Sequence, residues 1–129
     1  MVQSLREKQS SFLFDMSRLI IWCFENGYEL TGGELLRTKE QQTLYFEGLT
    51  IIKVNSNIKL VKHDRLSKTM FSKHLKKLAI DLNVFRDGKL LSKKEDFKPI
   101  ADYWRSLDKM NESGYDWGWD FSHFQRNEK

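Results

Sequence analysis

Apolar residues recur every three or four positions through the first fifth of the chain. The helically spaced positions are Leu5, Phe12, Met16, Leu19, Ile20 and Cys23. This spacing predicts an amphipathic helix over residues 3–26, and Gly27 is a natural stop at its C-terminal end.

Shorter apolar runs bounded by turn residues predict β-strands. "YELTGGELL" (28–36) is typical of a short strand or strand pair in which Gly32-Gly33 marks a kink or bulge. "TIIKVNSNIKLVKH" (50–63) alternates about a polar centre and predicts a hairpin. "LAIDLNVF" (78–85) predicts a strand followed by an Asp87-Gly88 turn, and "SHFQ" (122–125) predicts a short final strand.

Two further segments predict helices. Thr38 is a suitable cap for "KEQQTLYFEG" (39–48), and "FKPIADYWRSLDKM" (97–110) predicts a third helix with Pro99 in its first turn. The segments together predict an α+β fold, in which a small, mostly antiparallel sheet packs against helices. At 129 residues, the chain is expected to form a single domain over 1–129.

Composition and charge narrow the function only slightly. The chain is 40% hydrophobic and 13% aromatic, which is enough for a core. Its net charge of +4 suits an anionic partner such as nucleic acid, a lipid surface or a cell-wall polymer, but an ordinary solvated surface explains it equally. Only Lys73–Lys77 and Lys53–Lys68 are locally basic.

The number of cysteines and the lengths of the apolar runs indicate the cellular compartment in which the protein is made. Cys23 is the single cysteine, so an internal disulfide is impossible, and a buried inert thiol is expected. Glu7 and Asp15 interrupt any signal-peptide pattern, and no apolar stretch is long enough to cross a membrane. Synthesis in the cytoplasm without a signal peptide is therefore expected.

"SKHLKKLAIDL" (72–82) places a histidine seven residues before an aspartate in a strongly apolar segment. Strand alternation puts Asp81 on the face shared by Ala79 and Asn83. If that face is solvated, Asp81 needs no explanation; if it is buried, the carboxylate needs a cation. His74 alone is weak support for a metal site.

The C-terminal "GYDWGWDFSHF" (114–124) strengthens the metal interpretation. Catalytic zinc sites use three nitrogen or oxygen ligands and keep a fourth position for water. His74, Asp81 and His123 would supply such a set, and Asp120 would be a nearby carboxylate able to take a proton. An aromatic-rich edge with an incidental aspartate and histidine is the alternative.

These motifs resemble the M15 metallopeptidases, the group of D-alanyl-D-alanine carboxypeptidases and L-alanyl-D-glutamate endopeptidases. "SKHLKKLAID" is similar to the family's Ser-x-His-x(6)-Asp signature, and "WGWDFSHFQ" is similar to its closing motif. "NGYELTGGELLRTKEQQ", "LAIDLNVFRDGKL" and "PIADYWRSL" resemble intervening segments, in the right order. Phage endolysins are the members closest in size. The resemblance implies the M15 (Hedgehog/DD-peptidase-like) fold.

The resemblance also implies roles for individual residues. It makes His74, Asp81 and His123 the ligands of one Zn²⁺ per chain, and Asp120 the general base. The substrate-side positions that match are Arg37, which would also stabilise the oxyanion, Ser72, Gln41 or Gln42, and Trp117 as part of the cleft wall. His63 matches no role and is expected in an exposed loop.

The chain departs from the family pattern in two places. Many members have glycine where this chain has Lys77, so the turn there must tolerate lysine. The closing motif is also shorter, so that Asp120 stands for two aspartates of the family; Asp116 is the alternative base.

The function that the resemblance implies is zinc-dependent hydrolysis of a peptidoglycan stem peptide, at the L-alanyl-D-glutamate bond, by a phage endolysin. A D-alanyl-D-alanine carboxypeptidase or dipeptidase with the same ligands, and a non-catalytic wall-binding relative, are the alternatives. A nucleic-acid module is disfavoured, because the aromatic residues are not interleaved with basic ones. The expected protein is a monomer without stable membrane insertion that reaches the wall after release by a holin-type route.

Overall fold

The computed structural model describes residues 3–33, 49–54, 57–62 and 73–128. For residues 49–54 and 57–62 it describes the backbone only. The predicted helix over 39–48, with its cap Thr38, lies outside the described residues. Within them, no helix is long and apolar enough to cross a membrane.

The predicted N-terminal helix is present as α1, Leu5–Glu25. Ser4 caps it, because its Oγ accepts from the backbone N–H of Glu7, while Glu7 Oε1 accepts from the backbone N–H of Ser4. Gly27, at φ +86°, follows its C-terminal end. The buried face repeats at helical spacing: Phe12, Asp15, Met16, Leu19 and Cys23.

The main sheet is antiparallel throughout its described pairings. β1 (Glu29–Gly32) and the central strand β4 (Ala79–Arg86) both lie in segments that the sequence predicts as strands, and they pair with each other. The Asp87-Gly88 turn leads into β5 (Lys89–Leu90), which folds back on β4. The first residues of β4 pair on the other side with β7 (His123–Arg126), the predicted final strand.

A separate two-stranded sheet confirms the predicted hairpin. β2 (Leu49–Val54) pairs with β3 (Asn57–Lys62) in antiparallel register, with Val54 opposite Asn57. The predicted α+β class with a small antiparallel sheet is thus confirmed.

The predicted C-terminal helix exists as α2, Lys94–Leu107, but it begins three residues earlier than predicted. Pro99 is therefore not in the first turn, and that prediction was wrong. Glu95 and Asp96 occupy the first turn instead, where carboxylates favour the positive end of the helix dipole. Proline at an interior position leaves the carbonyl of Glu95 without its helical partner.

The sequence pattern did not predict β6 (Asn111–Ser113) and the one-turn helix α3 (Gly114–Trp117) that follows it. β6 pairs with β7 and completes the strand order β1-β4-β7-β6. The indole Nε1 of Trp104, on α2, donates to the backbone carbonyls of Glu112 at 3.0 Å and Gln125 at 3.3 Å. The helices and sheet enclose a core that includes Phe12, Met16, Leu19, Leu78, Ile100, Trp104 and Phe124.

Candidate metal centre

A single 3₁₀ turn places His74 beside the sheet. The turn spans Lys73–Lys76. The next residue, Lys77, has φ +58° and redirects the chain into β4. The His74 side chain is 1% exposed. A buried imidazole at the start of the central strand is well placed to face groups that project from that strand.

Asp81 and His123 form a directly opposed cross-strand pair between β4 and β7. Directly opposed residues in an antiparallel pair project from the same face of the sheet, so the two side chains meet. The side chain of Asp81 is 20% exposed and that of His123 is 7% exposed. The Asp81 face is therefore largely buried, which is the case in which a carboxylate needs a positive partner.

The two histidines approach the same carboxylate oxygen. Oδ1 of Asp81 lies 3.3 Å from Nε2 of His74 and 3.2 Å from Nδ1 of His123. One ligand atom from each of the three residues lies within 4.8 Å of the others. Donor atoms bound to a tetrahedral zinc at about 2 Å lie about 3.3 Å apart. The donor set, and the separations of 3.3 and 3.2 Å between Asp81 Oδ1 and the two histidine nitrogens, therefore fit a metal ion.

The shared oxygen sets the electrostatics of the centre. Burial alone raises the pKa of Asp81, but hydrogen bonds with His123 and then His74 outweigh it, and the pKa falls from 3.8 to about 2. For His123, burial lowers the pKa, yet its hydrogen bonds with Asp81 and Gln125 more than compensate and raise the pKa above 6.5. The carboxylate is thus ionised at neutral pH, as a metal ligand must be.

Asp120 lies at the solvent edge of this cluster. Its Oδ2 is 3.9 Å from Nδ1 of His123, and its side chain is 37% exposed. The backbone at Asp120 is left-handed, with φ +55°, a conformation that aspartate tolerates better than most residues. The loop can pack this closely only because residue 114 is glycine. A Cβ added at Gly114 would lie 1.6 Å from the carbonyl oxygen of Asp120.

Two tryptophans flank the centre. The ring of Trp117 lies 5.1 Å from the His123 ring, between centroids, and its Nε1 donates to Glu112 Oε1. Trp119 lies 5.9 Å from Trp117 and is 39% exposed. Trp117 therefore packs on a candidate ligand, while Trp119 offers an aromatic surface to solvent next to it.

A pocket of about 210 Å³ lies beside the candidate metal centre and shares Asp120 with it. Its lining combines apolar and small polar side chains, among them Asn83, Leu90, Ser92, Asp120, Phe121 and Ser122. The pocket therefore offers both apolar and polar contacts next to Asp120.

The structure brings together four of the predicted site residues, His74, Asp81, His123 and Asp120, with Trp117 against them. Arg37, Gln41, Gln42 and Ser72, as well as His63, lie outside the described residues, so their roles stay predictions. Asp116, the alternative base, accepts from the backbone N–H of Ser113 at 3.0 Å and pairs with Arg105 at 2.8 Å. Its carboxylate thus has a structural role in capping α3.

Two polar residues behind His123, Gln125 and Glu112, carry no functional motif in the sequence. Gln125 Oε1 lies 2.7 Å from Nε2 of His123, the ring nitrogen that faces away from Asp81. A signal for Gln125 was available in "SHFQ", because residues 123 and 125 of a strand project from one face.

The chain matches no protein-family model, and no curated protein matches it. Among solved structures it is similar to the crystal structure of the Serratia marcescens L-Ala D-Glu endopeptidase ChiX. The TM-score is 0.62 at 19% sequence identity, and the match covers 98% of this chain and 89% of that chain. The two chains therefore share an α+β fold over nearly their whole lengths.

Proposed function

We propose that the protein is a zinc-dependent peptidoglycan peptidase that hydrolyses the L-alanyl-D-glutamate bond of the stem peptide. The observation that carries the proposal is the meeting of His74, Asp81 and His123 around one carboxylate oxygen, with Asp120 3.9 Å from His123. The shared fold with a solved L-Ala D-Glu endopeptidase supports the substrate class.

The ligands would be His74 Nε2, His123 Nδ1 and a carboxylate oxygen of Asp81, for one zinc ion per chain. Bound zinc would supply a Lewis acid and lower the pKa of a coordinated water to about 7. Two histidines and one carboxylate are a ligand set found in catalytic zinc sites, in which a further position stays open.

The exposed side chain of Asp120, 3.9 Å from His123, supports the role of general base for this residue. Its carboxylate would take a proton from the attacking water and deliver the proton to the nitrogen of the leaving amine. The pocket lined by Asp120 would hold part of the stem peptide. Arg37 would stabilise the oxyanion, as its match to the family arginine implies.

The charge of the chain would favour the encounter with an anionic wall. The net charge is +4, although Glu128 partly neutralises the basic turn by pairing with Lys73 at 3.1 Å and Lys76 at 2.9 Å. Attraction to wall phosphates would weaken at high salt. The protein would act as a monomer at the wall, after release from the cytoplasm of a phage host.

The test is digestion of purified peptidoglycan, with and without a chelator, followed by mass spectrometry of the products. We expect released peptides that begin with D-glutamate, lost on chelation and restored by zinc. Release of terminal D-alanine alone would instead assign a carboxypeptidase. Zinc binding with no product would contradict the catalytic role and indicate a wall-binding relative.

A further inference from the structure

A chain of hydrogen bonds runs from Trp117 back to His123 behind the candidate metal centre. Trp117 Nε1 donates to Glu112 Oε1, and Asn127 Nδ2 donates to Glu112 Oε2. Gln125 Nε2 donates to Asn127 Oδ1 at 2.6 Å, and Gln125 Oε1 lies 2.7 Å from His123 Nε2. We propose that Glu112 and Gln125 are positioning residues that hold the ring proton of His123 on Nε2 and so leave the lone pair of Nδ1 directed at the metal centre.

Strand geometry places these groups together. His123 and Gln125 are two residues apart in β7 and project from the same face, and Glu112 on β6 is directly opposite Gln125. Asn127, two residues further on, extends the row beyond the strand. Its backbone N–H donates to the carbonyl of Met110 at 2.7 Å, which keeps this end of the row against β6.

The direction of each hydrogen bond follows from the two groups at the far end. An indole N–H can only donate, and an ionised carboxylate can only accept. Glu112 therefore requires the amide nitrogen of Asn127, which turns the Asn127 oxygen toward Gln125. Gln125 must then present its own nitrogen to Asn127 and its oxygen to His123. An amide oxygen accepts, so Nε2 of His123 must carry the proton.

A proton on Nε2 leaves Nδ1, on the opposite side of the neutral His123 ring, with a free lone pair. Nδ1 of His123 faces Asp81 Oδ1 at 3.2 Å, which is longer than the 2.7 Å contact of Nε2 with Gln125. Ligating histidines commonly donate their second N–H to a protein acceptor, which fixes the tautomer and orients the ring. Gln125 would do this here. The benefit to metal binding rests on the proposed zinc site, whereas the tautomer itself does not.

The distinguishing experiment is ¹⁵N NMR of the histidine rings in metal-free protein, at an alkaline pH where the rings are neutral. The chain has three histidines, and loss of one signal in His123→Gln assigns the His123 resonance. In the unaltered protein we expect the Nε2–H tautomer. In Gln125→Leu, which removes the acceptor, we expect the proton to move to Nδ1, facing Asp81.

Glu112→Gln is the sharpest variant because it should reverse the whole chain of bonds. The new amide must turn its oxygen to Trp117 and its nitrogen to Asn127. Asn127 and Gln125 then both rotate, Gln125 presents its nitrogen to His123, and the favoured tautomer becomes Nδ1–H. The exposed Glu25, on α1, provides a control of the same chemistry, since Glu25→Gln should leave the tautomer unchanged.

Zinc titration of the same variants supplies the second measurement. Loss of such an outer hydrogen-bond partner typically weakens metal binding about 10- to 100-fold, and we expect Gln125→Leu to fall in this range. An Nδ1–H ring in the unaltered protein, or an unchanged tautomer in both Gln125→Leu and Glu112→Gln, would overturn the proposal. An absence of zinc binding alongside the expected tautomers would instead contradict the proposed function and leave this assignment intact.

Discussion

Asp81 and His123 face each other across β4 and β7, with Oδ1 of the aspartate 3.2 Å from Nδ1 of the histidine. The same oxygen lies 3.3 Å from Nε2 of His74. A single carboxylate oxygen between two imidazoles is satisfied in two ways. When His123 is protonated, its Nδ1–H can donate to this oxygen. When His123 is neutral, with its proton on Nε2, a cation can bind all three groups instead.

The first prediction concerns the ligands. Replacement of His74 or His123 by alanine should abolish stoichiometric zinc binding, because each change removes one of three donors. Isothermal titration with zinc after removal of bound metal is the measurement. His63→Ala is the matched control, since His63 has no role in the proposed site, and it should still bind one zinc per chain. Full zinc affinity in both His74→Ala and His123→Ala would refute the ligand assignment.

The second prediction separates catalysis from metal binding. Asp120→Asn should lower kcat by about 10²- to 10⁴-fold, the usual contribution of a general base, while one zinc per chain stays bound. The measurements are rates of release of D-glutamate-terminated peptides and zinc content. Asp116→Asn is the control, because Asp116 pairs with Arg105 and Ser113. Asp116→Asn should lower the stability and keep most of the activity. Loss of activity in Asp116→Asn, with activity retained in Asp120→Asn, would make Asp116 the base.

The sequence predicted the parts of this protein that depend on local pattern. The periodicity of α1, the hairpin of β2 and β3 and the Asp87-Gly88 turn were all visible, as was the spacing of His74 and Asp81. The sequence does not predict β6, because three residues carry too little periodic signal. This strand depends on its pairing with β7. α2 begins before the predicted start because proline, which is common in the first turn of helices, here lies inside the helix at Pro99.

The site was predictable only as a set of residue types. The register that puts Asp81 opposite His123 depends on long-range strand pairing, which spacing along the chain does not specify. The same is true of Glu112 opposite Gln125. Residues behind a metal centre are therefore harder to find from sequence than its ligands, since they follow no ligand spacing of their own.

The third prediction is a pH dependence of the metal-free protein. The pKa of His123 is raised in the folded state, so its stabilising contribution is complete below 6.5 and is lost as the pH rises through the folded value. The pKa of Asp81 is lowered from 3.8 to about 2, so its contribution is present above 3.8 and is lost as the pH falls toward 2. Both pKa shifts arise largely from the interaction between His123 and Asp81, so their contributions to stability are not additive.

Metal-free protein should therefore be most stable between about pH 4 and 6, by urea unfolding across the pH range. In His123→Gln the decline on the alkaline side should flatten, because the group that loses its proton is gone. A decline of the same size in His123→Gln would assign it to other groups.

The fourth prediction concerns the turn that positions His74. Lys77 has φ +58°, and its N–H donates to the carbonyl of His74 at 3.3 Å. A left-handed conformation costs an L-residue with a side chain roughly 1–2 kcal/mol, whereas glycine adopts it readily but loses about 0.5–1 kcal/mol more backbone entropy on folding. Lys77→Gly should therefore raise the free energy of unfolding by about 0.5–1 kcal/mol.

Urea unfolding of Lys77→Gly and Lys77→Ala measures this difference. Alanine keeps the Cβ and so keeps the strain, which makes Lys77→Ala the control for loss of the charged side chain. If the two variants have equal stability, the left-handed turn is not strained in solution. Zinc affinity should be unchanged in Lys77→Gly, because glycine fits the backbone that already holds His74 against Asp81. A loss of affinity would mean that the lysine side chain itself supports the ligand.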